Sequence, residues 1–382
     1  MLKRAVEQFI ERYIQDTKNG KLLFIWGPRR SGKTTLLQNI SQKKNLPIFN
    51  FDLYSDREKF VADKNTLQKL AAEHKIILID EVQNFPESTL AIKILLDEFR
   101  LKIIATGSSE LRQLSKDFNT LSGRFHEIFC LPLSSWEIIE NYPQKEYEKD
   151  RFLQKTMTDF ILYGSYPEVY LESSEPTKID LLQKILDSYV LKDVIDIYNL
   201  KNSKLAKDIL TKISLQIGSE ASIREIANSL QANVSTVSNY IEIFIKNYIL
   251  IAIPSFKTNA RRAVSENRKL YFYDLGIRNV LVKDFRTLDL RPDKGALFEN
   301  FIFSEVEKRR KIYNLKKSVY FYREYGGKEV DMVLEDYKKE YICAEVKLEE
   351  KKVRKVFPLP HKLELISPNN YFPKIQSILS EK

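Results

Sequence analysis

A short apolar run, Leu22-Leu23-Phe24-Ile25-Trp26, leads straight into Gly27-Pro28-Arg29-Arg30-Ser31-Gly32-Lys33-Thr34. No other feature restricts the fold as much. The octet matches G-x-x-x-x-G-K-[ST], the loop whose backbone N–H groups surround phosphates at the start of a helix. A continuous apolar run has no solvent face, so the strand before it is expected to lie buried in a parallel sheet. Thr34 to Ile40 reads as the helix after the loop. Further strand signals are Pro47-Ile48-Phe49-Asn50-Phe51, Ile76-Ile77-Leu78-Ile79 and Lys102-Ile103-Ile104-Ala105-Thr106, with helical stretches between them. Alternation of this kind predicts an α/β domain on a parallel sheet. Val6, Phe9, Ile10, Tyr13 and Ile14 predict an amphipathic helix ahead of it.

The chemistry expected at the loop is specific. Gly27 and Gly32 free the backbone to turn inward, and Pro28, Arg29, Arg30, Ser31 and Thr35 complete the cradle. Lys33 is placed to reach β/γ-phosphates and Thr34 to offer its hydroxyl to Mg²⁺. The strand Ile76–Ile79 ends in Asp80-Glu81. Asp80 is expected to hold Mg²⁺, and Glu81 to orient a water and accept its proton. ATP with Mg²⁺ is therefore the expected ligand, and hydrolysis the expected reaction. In Thr106-Gly107-Ser108-Ser109, either serine is a candidate γ-phosphate sensor. Arg124, in Leu121-Ser122-Gly123-Arg124, is either an arginine finger or half of a surface salt bridge.

Beyond about Leu131 no further strand of this sheet is expected. The pattern divides the chain into residues 1–133, a phosphate-binding core; 134–215, a helical lid interrupted at Gly164-Ser165-Tyr166-Pro167; 216–269, a helix-turn-helix with a basic loop; and 270–382, a smaller α/β unit. Ile223, Ile226, Ala227 and Leu230 stripe the first helix of the helix-turn-helix. Val234, Val237, Ile241 and Phe244 stripe the second, with Asn233 as its expected N-cap. In a DNA-binding mode Ser235, Thr236, Ser238 and Asn239 face a major groove. Lys257, Arg261, Arg262, Arg268 and Lys269 neutralise phosphates there, opposed only by Glu266. Residues 234–269 thus suit DNA, or alternatively a protein partner.

Glu329–Glu335 and Tyr341–Lys347 read as a hairpin. Pairing Glu335 with Tyr341 sets Val333 opposite Cys343 and Asp331 opposite Glu345, with Lys347 on the same face. Glu299, on the helix before, is placed to join them. Such like charges need a metal or a proton to coexist.

Composition narrows the alternatives. The net charge is +10, which suits nucleic acid or another acidic surface as readily as a solvated lysine-rich exterior. His74, His126 and His361 have no paired spacing, which argues against a histidine zinc site or a serine-type triad. Cys130 and Cys343 suggest no disulfide framework. No apolar run is long enough to span a membrane, and no secretory leader is read at the N-terminus, so a cytoplasmic location is expected.

Trp26 to Leu36, Ile79-Asp80-Glu81-Val82-Gln83 and Thr106-Gly107-Ser108-Ser109 resemble the AAA+-superfamily ATPases of bacteria and archaea. The group they resemble carries a C-terminal domain of unknown function. Leu131-Pro132-Leu133-Ser134, Tyr163-Gly164-Ser165-Tyr166-Pro167-Glu168 and Tyr271-Phe272-Tyr273-Asp274-Leu275-Gly276 match that group too, so the resemblance runs from about residue 18 to 350. One departure is Ser165, where the group usually has glycine. The resemblance implies a winged helix over 216–269 and a restriction-endonuclease-like fold after it. There Glu299, Asp331, Glu345 and Lys347 become a candidate nuclease site, with Asp331 and Glu345 as Mg²⁺ ligands, either cleaving or retained without activity. It also leaves room for a homo-oligomer or a protein partner.

Overall fold

The computed structural model describes residues 2–16, 21–108, 121, 123–193, 198, 200, 202–257, 268–324, 327–349 and 356–380. The chain divides into two compact units, Met1–Leu131 and Pro132–Lys382.

The first unit is built on a five-stranded sheet. Its strands are β1 (Leu22–Trp26), β2 (Ile48–Asn50), β3 (Ile76–Asp80), β4 (Lys102–Gly107) and β5 (Phe125–Phe129), in the order β2-β3-β4-β1-β5. Every neighbouring pair is parallel. All five side chains of β1 are buried, as a strand covered on both faces requires. Leu22, Phe24, Ile77, Ile79 and Ile103 lie in one core, each contributing roughly 1.5–3 kcal/mol on burial. Strand β5 is a fifth strand that the apolar pattern does not reveal, and it ends before the limit expected near Leu131. Its sequence, Phe-His-Glu-Ile-Phe, lacks the continuous apolar run because it is an edge strand, with His126 exposed. Glu127 is satisfied there by Trp26 Nε1, which donates at 2.9 Å. The helix Glu7–Gln15 precedes β1. Its terminal carbonyls at Tyr13 and Ile14 accept from buried Lys102 Nζ at 3.1 and 3.0 Å, a cation where the helix dipole favours one.

In the second unit the helices Glu146–Tyr163, Glu175–Ile185 and Ser203–Leu215 pack with a helix-turn-helix, Ile223–Ser229 and Val234–Lys246. A small antiparallel sheet is formed by β6 (Glu220–Ala221), β7 (Leu250–Pro254) and β8 (Arg268–Phe272) in the order β6-β8-β7. Leu162, Leu182, Ile209, Ile241, Phe272 and Ile277 share one core. The segment expected to be a lid is therefore continuous in packing with the helix-turn-helix. Strand β8 also runs across the expected 269/270 boundary, because its ladder to β7 continues through Phe272.

The rest of this unit sets the helix Lys294–Ile312 and the helix Tyr371–Leu379 with a four-stranded sheet. Strands β9 (Lys317–Arg323), β10 (Glu329–Asp336), β11 (Tyr341–Val346) and β12 (His361–Ile366) take the order β12-β11-β10-β9. The hairpin register pairs Glu335 with Tyr341 and Val333 with Cys343, as the spacing predicts. The chain just after β7 crosses onto this sheet. Phe256 N donates to Phe321 O at 2.6 Å, and its ring packs with Val330, Val333 and Phe357.

Two glycines lock the Gly164 and Gly276 segments together. A Cβ on Gly164, at φ +76°, would lie 2.0 Å from Asp274 Oδ1, and one on Gly276 2.3 Å from Tyr163 O. Ser165 N donates to Asp274 Oδ2 at 2.6 Å. Ser165 Oγ accepts from buried Lys308 Nζ at 3.0 Å, which also donates to Leu133 O at 2.9 Å. The serine that departs from the resembled pattern thus adds a hydroxyl to a buried polar network.

Candidate nucleotide site

Parallel strands bring their C-terminal ends to one edge, which is where open α/β sheets bind ligands. Trp26 is level with Gly107, and Ile79 with Ala105. The tips of β1, β4 and β3 therefore carry the Gly27 loop, Thr106–Ser108 and Asp80-Glu81 side by side.

The loop is tightly held. A Cβ on Gly27 would sit 1.9 Å from Cys130 O, so only glycine fits. Gly32 has φ +92° and caps the helix Lys33–Lys44. Arg30 also takes positive φ, at 62°. Lys33 is buried, and its Nζ donates to Gly27 O at 2.9 Å and Pro28 O at 2.8 Å. It is thereby poised inside the loop's own ring of carbonyls. Pro28 and Ser31 are buried, Arg29 and Thr34 half-buried, and Arg30 and Thr35 exposed. Ser31 Oγ is buried with no hydrogen-bond partner among the described residues, which a bound phosphate would supply. The loop is braced by Arg4, which the loop motif does not include. Arg4 is buried and donates to Ser31 O, to Leu131 O and, at 3.3 Å, to Cys130 Sγ. Its only signal in the sequence is a cation next to Lys3 among Leu2, Ala5 and Val6, all buried.

At the tip of β3, Asp80 is buried and accepts from Thr106 Oγ1. The same hydroxyl oxygen accepts from Glu81 N at 3.3 Å. Glu81 has φ 52° and ψ 46°, left-handed values that a non-glycine residue adopts only at some cost. Gln83 Nε2 donates to Glu81 Oε2, while Gln83 Oε1 accepts from Ser108 N at 3.2 Å. Thr106 and Gln83 are site residues to which the sequence alone assigns no role. Their signals are a polar residue ending a buried strand and an amide two positions after the acid pair.

Ser108 is buried at this edge, and Ser109 lies outside the described residues. Arg124 is at the wrong end to be a finger for its own loop. It precedes β5, and its carbonyl accepts from Leu22 N at 2.9 Å, at the start of β1. A strand of that length puts it about 16 Å from the loop edge. Its guanidinium instead pairs with Asp97 at 2.7 Å, a surface salt bridge.

The residues present suit Mg·ATP. Thr34 and Asp80 offer oxygen donors to a hard divalent cation, and the orphaned Ser31 hydroxyl and inward Lys33 suit phosphate.

The C-terminal carboxylates are gathered around lysine side chains. Lys347 Nζ lies 2.9 Å from Asp331 Oδ2 and 3.1 Å from Glu345 Oε2. Val346 N also donates to Asp331 Oδ2, at 2.8 Å. Glu299 is taken by Lys269, at 3.0 Å, and by Tyr271 OH. Among the described residues no group of three or more His, Cys, Asp or Glu is placed to hold a metal ion. Asp331 and Glu345, the expected Mg²⁺ ligands, share the Lys347 ammonium. Burial, and then the Asp331 charge, push the Glu345 carboxyl up to about 7. Burial also raises Glu299, with Lys269 opposing it.

The helix-turn-helix keeps Ser235 and Asn239 exposed and Thr236 and Ser238 half-buried. Asn233 stands at the N-cap without a side-chain cap bond. Two of the cations expected to meet phosphates are engaged elsewhere. Arg268 pairs with Glu242 at 2.6 Å, and Lys269 is buried between Glu299 and Glu329. Arg261, Arg262 and Glu266 lie outside the described residues, and Lys257 is exposed. Among the described residues no helix is long and apolar enough to cross a membrane.

Comparison with known proteins agrees with the loop geometry. Residues 19–139 match a family model described as AAA domain (AAA_14). Residues 154–291 and 294–364 match two models each described as a domain of unknown function, DUF8612 and DUF4143. An uncharacterized protein of Methanocaldococcus jannaschii is 29% identical over 340 residues, covering 84% of this chain and 74% of its own. One of Haemophilus influenzae is 25% identical over 328 residues, covering 79% and 78%. Among solved structures, replication initiator DnaA bound to AMPPCP and single-stranded DNA aligns with a TM-score of 0.29 and 19% identity, over 62% of this chain and 85% of that one. The Aeropyrum pernix ORC1 protein in complex with DNA aligns at 0.31 and 13%, over 74% and 93%. Residues 19–139 are thus similar to an AAA domain, and their sheet edge carries a P-loop ahead of the helix Lys33–Lys44.

Proposed function

We propose that this chain binds ATP with Mg²⁺ at the Gly27–Thr34 loop and hydrolyses it. The observation that carries this reading is the meeting of Lys33, Asp80 and Glu81 at one sheet edge. On binding, the Lys33 ammonium leaves the carbonyls of Gly27 and Pro28 for the β- and γ-phosphate oxygens. The loop amides and the helix N-terminus complement the remaining phosphate charge. Thr34 and Asp80 would hold Mg²⁺, which would supply positive charge to the phosphates. Glu81 orients a water and takes its proton as the water oxygen bonds to the γ-phosphorus. The bond from that phosphorus to the bridging oxygen breaks, giving ADP and phosphate. Ser108 is the γ-phosphate contact at the end of β4. Calorimetric titration with Mg²⁺ and a non-hydrolysable ATP analogue tests the binding half. Wild type is expected to bind, and Lys33→Ala to weaken binding at least about tenfold. Equal affinities would remove the basis of the reading.

A second reading concerns the output. The nuclease-like segment is proposed to serve without cutting, as part of a nucleotide-dependent switch for a protein partner. The ion pairs that occupy Glu299, Asp331, Glu345 and Lys347 favour it over a DNA-cleaving role, and the pairing of Arg268 with Glu242 and of buried Lys269 with Glu299 and Glu329 favours it over a DNA groove at 234–269. Supercoiled plasmid incubated with ATP and Mg²⁺ or Mn²⁺ is expected to stay intact. Nicking by wild type that disappears in Asp331→Ala would reverse this choice.

A further inference from the structure

Within the first unit, Gln83 is fixed by both ends of its amide. One end donates to the Glu81 carboxylate and the other accepts from the Ser108 backbone, at 3.2 Å. Thr106, buried on β4 two residues before Ser108, holds Asp80 through its hydroxyl and accepts from Glu81 N. The tip of β4 therefore grips the acid pair of β3 twice, once through a side chain of its own and once through Gln83.

Glu81 needs such a grip. Its left-handed backbone, at φ 52° and ψ 46°, aims the side chain where an ordinary strand end would not. A conformation of this kind, costing roughly 1–3 kcal/mol, persists only where surrounding contacts determine it. A half-buried carboxylate on a loop otherwise samples several rotamers, and a base off-line by an ångström loses most of its effect.

We propose that Gln83 is a positioning residue for hydrolysis. Its amide clamps the Glu81 carboxylate to the β4 tip, so that any movement of Ser108 is passed to the residue that activates water. The proposal rests on the hydrolysis reading and adds a residue and a linkage that the motif alone does not contain. It differs from a packing role in one respect. A packing residue acts whether or not Glu81 is present, whereas a clamp acts only through it.

Steady-state ATPase kinetics on the full chain test this with Gln83→Met, which keeps the side chain's length and removes both hydrogen bonds. The variant is expected to lose kcat about tenfold or more with KM for ATP within about twofold. In a Glu81→Gln background the same substitution is expected to have no further effect, the non-additivity that marks two residues acting as one. Gln83→Glu, which sets a like charge against Glu81, is expected to be at least as slow as Gln83→Met. Wild-type kcat in Gln83→Met, or an equal loss in both backgrounds, would overturn the clamp and leave the ATPase standing. If wild type itself releases no phosphate from ATP, the hydrolysis reading fails, and the clamp with it. Thermal melting of each variant separates a folding defect from a kinetic one, and a Gln83→Met chain that melts early and recovers full kcat below its transition also counts against the clamp.

Discussion

At the scale of single residues, the loop leaves little freedom. Gly27→Ala would push a methyl into the Cys130 carbonyl, a backbone atom that cannot swing away. Calorimetry is expected to show affinity for Mg·ATP weakened at least about tenfold, with a loss of stability of roughly 1–3 kcal/mol. A variant that binds and melts like wild type would contradict the close approach. Arg124→Ala is expected to leave the ATPase rate of the isolated chain unchanged, since the guanidinium faces Asp97 at the far end of the sheet. A large loss of rate would mean it acts in another copy's site. Glu345 makes a prediction about pH. Its carboxyl is raised from its usual value near 4.5 to about 7 in the fold. The folded chain therefore holds that proton more tightly than the unfolded one. The contribution is fully present below about pH 4.5 and is lost as pH rises through 7. Glu345→Gln keeps the neutral form at all pH values. Thermal melts from pH 5 to 8 are expected to show the variant gaining on wild type as pH rises, by on the order of 1–3 kcal/mol at pH 8.

At the scale of elements, legibility depends on whether the signal is local. Strand β1 and its loop are legible because apolar continuity and the glycine spacing sit in thirteen consecutive positions, residues 22–34. The β10–β11 register is legible because side chains alternate with period two and the turn is short. Strand β5 is not, because an edge strand tolerates His126 and Glu127 and so breaks the pattern. Lys269 resembles a phosphate contact in sequence because its buried partners come from remote positions, Glu299 on a helix and Glu329 on β10. Gln83 stands in a motif without a role of its own there, because its second partner, Ser108, lies just past the end of another strand. The junction of Gly164 with the helix Leu275–Val282 offers a test at this scale. Asp274 Oδ1 accepts from Ile277 N at 3.2 Å and so caps that helix. Asp274→Ala removes the cap and leaves Ser165 N without its carboxylate acceptor in a buried site. Urea denaturation is expected to show a loss of roughly 3 kcal/mol. A change under about 0.5 kcal/mol would mean the network is not structural.

At the scale of the whole molecule, the second unit resists the division that its motifs invite. The small sheet needs Leu270–Phe272, and Phe256 needs the β9–β10–β11 sheet. A chain ended after residue 269 is expected to lose the cooperative melting of this unit. A sharp transition retained there would show that the helix-turn-helix folds without residues 270–382. The claim on which everything else depends concerns the first unit, and phosphate release from ATP tests it most directly. Wild type is expected to release phosphate with Mg²⁺. Lys33→Ala and Glu81→Gln are expected to lose at least about a hundredfold in rate, Glu81→Gln while still binding ATP. Equal rates in wild type and both variants would contradict the account.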